Sequence, residues 1–227
     1  MPTVNRYLDA AVLKPETTQQ DMIAAVRTCV SLATYSVCVR PCDIVKAREL
    51  CAGSATKVCV VLAFPHGLHL SASKADEARR YVDLGVDEID MVANYGLARS
   101  GDWAAVLADI QAVTAVTLSA GVPLKVIIET SQLTAAEIKK MVDICIEAGA
   151  DFVKTSTGFT GEGAREDDVR LMLETAAGRI KVKASGGIRD RERADMFIAM
   201  GVDRLGVGWT SCHAICAGGP DAMRAGY

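Results

Sequence analysis

Short apolar runs alternate with longer stretches in which apolar residues recur every three or four positions, through nearly the whole chain. The short runs predict strands at 6–9, 36–40, 57–63, 88–92, 124–129, 151–155, 180–184 and 204–207. The longer stretches predict helices at 19–33, 73–84, 103–119, 135–148, 166–177 and 191–200. Thr134-Ala-Ala-Glu137 has the form of a capping box, and Thr18-Gln-Gln-Asp21 is a weaker acidic version. One joint recurs three times, as Leu84-Gly85-Val86-Asp87, Ala148-Gly149-Ala150-Asp151 and Met200-Gly201-Val202-Asp203. In each, a glycine closes a helix and the following residues start a strand. Eight strands alternating with helices, without a linker or a break in composition, imply an α/β fold. The expected architecture is a (β/α)8 TIM barrel, a single domain over residues 1–227. Residues from about 212 onward carry little core-forming content and read as a C-terminal tail.

Composition narrows the function. A chain of 227 residues, half of them apolar and 23% charged, can bury one sizeable core. A net charge of -3 gives no reason to expect a nucleic acid or an anionic membrane as partner. No apolar run is expected to reach the roughly 18 residues of a spanning helix. The first residues lack the layout of a signal peptide, so the expected compartment is the cytosol. The eight cysteines contain no C-x-x-C pair and read as small buried hydrophobes. With only three histidines, His66, His69 and His213, a metal-dependent mechanism lacks its usual ligands, so neither metal nor cofactor is expected.

Charge sits where the fold should be most apolar. Parallel strands covered on both faces read as near-continuous hydrophobic runs. Here Asp90 lies in Glu-Ile-Asp-Met-Val, Lys125 and Glu129 bracket Val-Ile-Ile, and Lys154 and Lys183 each sit in a strand. Any one of these reads equally well as a structural ion pair. Together they suggest more. Lys154 and Lys183 are 29 residues apart, the length of one βαβ unit, which places them on adjacent strands roughly 4.8 Å apart. Two ammonium groups so close should depress each other's pKa, with desolvation acting the same way. A neutral amine attacks carbonyls, and Asp90 is then available to move protons.

The segments carrying these charges resemble those of deoxyribose-phosphate aldolases. The resemblance rests on Asp87-Glu-Ile-Asp-Met-Val92, Leu124-Lys-Val-Ile-Ile-Glu-Thr130, Ala150-Asp-Phe-Val-Lys-Thr-Ser-Thr-Gly-Phe159 and Val182-Lys-Ala-Ser-Gly-Gly-Ile-Arg189. Phe64-Pro-His-Gly67 and Val37-Cys-Val-Arg-Pro41 fit the same family, and the similarity runs from about Leu8 to Gly206. It implies a class I aldolase that reversibly cleaves 2-deoxyribose 5-phosphate to acetaldehyde and glyceraldehyde 3-phosphate. It implies Lys154 as the Schiff-base residue and Asp90 with Lys183 as the proton relay. It also implies that Asp9 and Lys125 line the same pocket. Gly158, Gly186, Gly187 and Gly206 follow strands at the barrel mouth, where glycines let backbone N–H groups approach a phosphate, and with Cys38, Thr157 and Gly208 they complete the expected substrate-binding set, although Cys38 also reads as a buried structural thiol. Small aldehydes and sugar phosphates are the expected partners, and a homodimer or other small homo-oligomer is common for the fold.

Two segments depart from the family pattern. Gly208 and Trp209 stand where one or two serines usually donate to phosphate, and Ala11 stands where a hydroxyl residue is usual. The catalytic set is intact while the substrate-handling set is altered. An aldolase of the same fold acting on a different or unphosphorylated aldehyde pair is therefore the alternative. A non-catalytic sugar-phosphate-binding barrel is a third, disfavoured because buried charges without a chemical role are costly. Tyr227, at the end of a glycine-rich tail, reads either as an aid to proton transfer, as in some family members, or as a disordered terminus.

Overall fold

The eight apolar runs become eight parallel strands, each paired with the next, and the last pairs with the first to close a barrel. The computed structural model describes residues 3–217. The strands are β1 (Leu8–Val12), β2 (Ser36–Val39), β3 (Lys57–Leu62), β4 (Glu88–Val92), β5 (Leu124–Ile127), β6 (Phe152–Lys154), β7 (Lys181–Ser185) and β8 (Arg204–Gly208). Around them lie α1 (Gln19–Ser31), α2 (Ile44–Cys51), α3 (Ser71–Asp83), α4 (Tyr95–Arg99), α5 (Trp103–Ala120), α6 (Ala135–Glu147), α7 (Glu166–Ala176), α8 (Arg191–Met200) and α9 (Cys212–Ala217). The six expected helices form within two residues of their expected ends, and Thr134 and Glu137 make the reciprocal capping box.

Alternate strand residues face opposite sides, and the two sides have opposite chemistry. Ala10, Val12, Val37, Val39, Val58, Val60, Ile89, Met91, Val126, Val153, Val182, Leu205 and Val207 join one apolar cluster with the inner faces of the helices. Fully burying such a side chain contributes about 1.5–3 kcal/mol. The positions between them point into the barrel and carry most of the charge. That interior holds a small apolar group of its own, Leu13, Cys38, Cys59 and Val61.

The repeated joint has a specific mechanical role. Gly85, Gly149 and Gly201 adopt φ values of 76°, 79° and 104°, which L side chains enter only with strain. The aspartate two residues on then pins the preceding strand. Asp87 accepts from Val58 N at 2.8 Å, Asp151 from Leu124 N at 2.9 Å and Asp203 from Val182 N at 2.9 Å. Each carboxylate thereby satisfies a strand-end amide and sets the offset between neighbouring strands.

Four expectations are corrected. β1 begins at Leu8 rather than residue 6, because Val4–Tyr7 forms a 3-10 turn whose Arg6 donates to the carbonyls of Ala33 and Thr34. Helices α2 and α4 were not anticipated, since they are only eight and five residues long. Residues 212–217 are not loose tail. They form α9, with Cys212 and Ile215 in the main core, while 218–227, including Tyr227, lie outside the described residues. Finally, α5 is 18 residues long with mean hydropathy 1.4, enough by length and composition to cross a membrane. Its buried Asp109 receives Lys74 Nζ at 2.6 Å and Ser71 Oγ at 2.8 Å, which ties it to α3.

Candidate active site

β1, β4, β5, β6, β7 and β8 each send at least one ionisable side chain into the barrel, and these side chains meet. Asp90 is at the centre. Its Oδ2 receives Lys154 Nζ at 2.7 Å and Lys183 Nζ at 2.8 Å, and its Oδ1 receives Lys125 Nζ at 2.9 Å. Lys183 also donates to Asp9 at 2.5 Å, and Lys125 to Glu88 at 2.6 Å. Arg204 closes the lower end, reaching Asp9 at 3.1 Å and Glu88 at 3.3 Å. Four cations thus share three carboxylates, all of them buried.

This arrangement overturns one expectation. The register does place Lys154 opposite Lys183 on adjacent strands. Burial would lower the Lys183 ammonium, but Asp9 and then Asp90 outweigh it and hold the group above the ordinary lysine range. Burial likewise opposes the charge on Lys125, and Asp90 leads the groups that keep it well above that range. The sequence showed the two lysines and Asp90, but not that Asp90 and Asp9 lodge against them. Burial pushes Asp90 up, yet Lys125, Lys154 and Lys183 together hold it well below the usual carboxylate range. Asp9 is held down in the same way, against burial, by Lys183 and Lys125.

At the carboxyl ends of the strands, Asp9, Cys38, Lys154, Thr157, Lys183, Gly186 and Gly206 line one recess, with Ala11, Leu13 and Ser185. Among the three barrel lysines, Lys154 is the most accessible, at 4%. Lys125 and Asp90 do not line the recess. Both are fully buried, and Lys125 bears on the site through Asp90. Gly206 is required by crowding, because a Cβ there would lie 2.5 Å from Ser185 Cβ and 3.3 Å from Lys183 Cε. Ser185 was missed from the sequence, though it directly follows Lys183-Ala184. Gly186, Gly187, Gly206 and Gly208 line an adjoining recess with Arg189, Thr210 and Ser211. A Cβ added at Gly186 would lie 3.6 Å from Gly158 Cα. The two departures from the family pattern are neighbours, since Ala11 pairs with Gly208 across β1 and β8. Beside them opens a cavity of about 230 Å³ bounded by Lys14, Glu16, Thr17, Asp21, Trp209 and Thr210.

One group of metal-ligand type gathers among the described residues: Cys38, Cys59 and Asp90, with ligand atoms within 4.8 Å of one another. Its chemistry does not favour a cation. Asp90 is already shared by three lysines, and burial, ahead of the Cys38 contact, pushes the Cys59 thiol well above its ordinary pKa. A protonated thiol is a poor ligand.

Comparison with known proteins agrees with this geometry. A family model described as DeoC/LacD family aldolase matches residues 3–219. A deoxyribose-phosphate aldolase of Mannheimia succiniciproducens is 44% identical over 201 residues, covering 88% of this chain and 89% of the relative. A solved structure described as QR15, an aldolase, matches with a TM-score of 0.89 at 41% identity, covering 96% of each chain. The deoxyribose phosphate aldolase of Aeropyrum pernix, described as having a unique tetrameric structure, matches with a TM-score of 0.87 at 28% identity, covering 94% of this chain and 89% of the other.

The cluster predicts a particular pH dependence. A carboxylate whose folded pKa is depressed stabilises above its unfolded pKa, near 3.9 for aspartate, and that contribution is lost as pH falls through the folded value. Asp90→Asn leaves three ammonium groups short of a partner, which should cost about 3–5 kcal/mol at neutral pH. Measured by denaturant unfolding, this penalty should stay constant from about pH 8 to about pH 5 and shrink only below about pH 4. A penalty already shrinking between pH 7 and 5 would contradict a depressed Asp90.

Proposed function

The chain belongs to the DeoC/LacD aldolase family and is a class I aldolase; on that premise we propose that Lys154 forms the Schiff base and that the substrate is 2-deoxy-D-ribose 5-phosphate. The reaction is reversible cleavage to acetaldehyde and D-glyceraldehyde 3-phosphate. The observation that carries the assignment is the unequal pairing of the two lysines at the recess. Lys183 is engaged by Asp9 and Asp90 together, whereas Lys154 pairs, among the described residues, with Asp90 and is the more accessible.

The steps follow from the partners. Lys154 Nζ, having passed a proton to the Asp90 side, adds to the C1 carbonyl and forms a C–N bond. The carbinolamine oxygen takes a proton and leaves as water, giving an iminium ion. A base removes the proton of the C3 hydroxyl, the C2–C3 bond breaks, and its electron pair moves through C1–C2 to the iminium nitrogen. C3 departs as the aldehyde carbon of glyceraldehyde 3-phosphate. The remaining enamine takes a proton at C2, and water then releases acetaldehyde and the free amine. Asp90 Oδ2 is placed to accept a proton from Lys154, and Lys183, at hydrogen-bond distance from the same oxygen, is placed to pass one on. The backbone of Gly186, Gly187, Gly206 and Gly208, with Arg189, would receive the phosphate, in the position this fold commonly uses. We also infer a homodimer or other small homo-oligomer working in the cytosol.

The adjacency of Ala11 and Gly208 favours a second reading, in which an unphosphorylated aldehyde is the better substrate. The cavity beside that pair is bounded by two acidic residues, Glu16 and Asp21, and one basic one, Lys14, which is a poor setting for a dianion.

Two measurements separate these. Borohydride reduction in the presence of acetaldehyde should leave one ethyl group on the peptide containing Lys154; an adduct confined to Lys183 would overturn the assignment. For the second, kcat/KM is compared for deoxyribose 5-phosphate and deoxyribose, in wild type and in Gly208→Ser. A hydrogen bond to a charged group contributes about 1.5–3 kcal/mol, so the added serine should raise the preference for phosphate roughly ten- to a hundredfold. If wild type already prefers the phosphate by several orders of magnitude and serine adds nothing, the altered loop does not govern specificity.

A further inference from the structure

Just beyond β5 the backbone does something a carboxylate-bearing residue rarely does. Glu129 has φ 55° and ψ 67°, the left-handed region that non-glycine residues enter only with strain. The residue is also completely buried. A glycine would relieve the strain and an apolar side chain would avoid desolvation, so glutamate here incurs both costs. Its hydrogen bonds show where it acts. Oε2 accepts from Thr157 N at 3.2 Å and from Thr157 Oγ1 at 2.6 Å. The same Thr157 hydroxyl accepts from Phe159 N at 3.1 Å, and the Phe159 ring packs edge-on against Phe64 with centroids 5.1 Å apart. Glu129 Oε1 has no protein partner among the described residues. Burial pushes this carboxyl above its ordinary range, against the Thr157 hydrogen bonds and the nearby Lys154 charge.

Thr157 lines the recess with Lys154 and Lys183. A hydroxyl has one proton and two lone pairs. With the proton given to Glu129 and one lone pair taken by Phe159 N, one acceptor site remains. A hydroxyl held in this way can receive a hydrogen bond but not give one.

We propose that Glu129 is a positioning residue for the aldolase reaction, fixing Thr157 as a hydrogen-bond acceptor that selects aldehydes bearing a hydroxyl group. The proposal rests on the Schiff-base reading given above, because Thr157 is useful only beside a reacting carbonyl. It differs from a purely structural role in what it moves. Loss of Glu129 should affect the binding of hydroxyaldehydes and spare an aldehyde of similar size with no hydroxyl to offer.

The test uses the full chain in the synthetic direction, adding acetaldehyde to D-glyceraldehyde or to propanal, with thermal melts recorded for each variant. In Glu129→Ala, KM for glyceraldehyde should rise about tenfold, the equivalent of one hydrogen bond, while KM for propanal changes less than twofold. Glu129→Gln, whose amide oxygen can accept the same two bonds, should recover most of the loss. Thr157→Val, which keeps the glutamate and removes only the hydroxyl, should lose the same discrimination, and it serves if Glu129→Ala does not fold. Equal rises for both acceptors, or no rise for either, would overturn the proposal. Borohydride trapping at Lys154 in wild type is read separately, so failure of the Schiff-base reading is not confused with failure of this one.

Discussion

One carboxylate shared by three ammonium groups is the constraint on which the site depends. Asp90 lies at hydrogen-bond distance from Lys125, Lys154 and Lys183, and none of the four is more than slightly exposed. Isolated, each charge would carry a desolvation cost of several kcal/mol in the barrel, and pairing repays it only with good geometry. Glu88, Asp9 and Arg204 complete that geometry from below. The outcome is graded. Lys125 is locked by several partners out of reach of solvent, Lys183 is held between two carboxylates at the edge of the recess, and Lys154, among the described residues, pairs with Asp90 at the opening.

The fold tolerates this interior because its stability comes mostly from elsewhere. Outward-facing strand residues and the helix faces against them form one continuous apolar layer, which leaves the inner positions free for polar groups. Exact strand offsets are needed, since a slip of one residue would turn Lys154 or Asp90 outward. The three Gly-x-Asp joints meet that need by fixing strand starts through side chains. A stability device on the lower face of the barrel therefore sets the aim of the charged groups inside it.

Much of this was legible in the residues alone. Strong alternation marked the eight strands and six of the helices, and charges breaking apolar runs marked Asp90, Lys125, Lys154 and Lys183. The failures have physical reasons. Mutual repulsion of Lys154 and Lys183 seemed decisive from their spacing, because a linear sequence shows neighbours along a strand and not the carboxylates arriving from across the barrel. Lys125 looked like a pocket residue, and only the packing shows it beneath Asp90. Glu129 stood in plain view as a charge in a strand, but its left-handed backbone carries no signal in residue identity. Helices α2 and α4 are too short for periodicity to show, and the buried positions of α9 lie in a stretch whose cysteines and alanines read as tail.

The central claim is that Asp90 and Lys183 act on Lys154 as one unit. A double-mutant cycle on the rate of imine formation with acetaldehyde, read by borohydride trapping at Lys154, measures this directly. Asp90→Asn and Lys183→Met should each slow the rate, and the double variant should be scarcely slower than the worse single one. That corresponds to a coupling above about 1 kcal/mol, or more than roughly fivefold. Independent effects, multiplying to within about twofold, would show that the two residues serve separate purposes and would contradict the account.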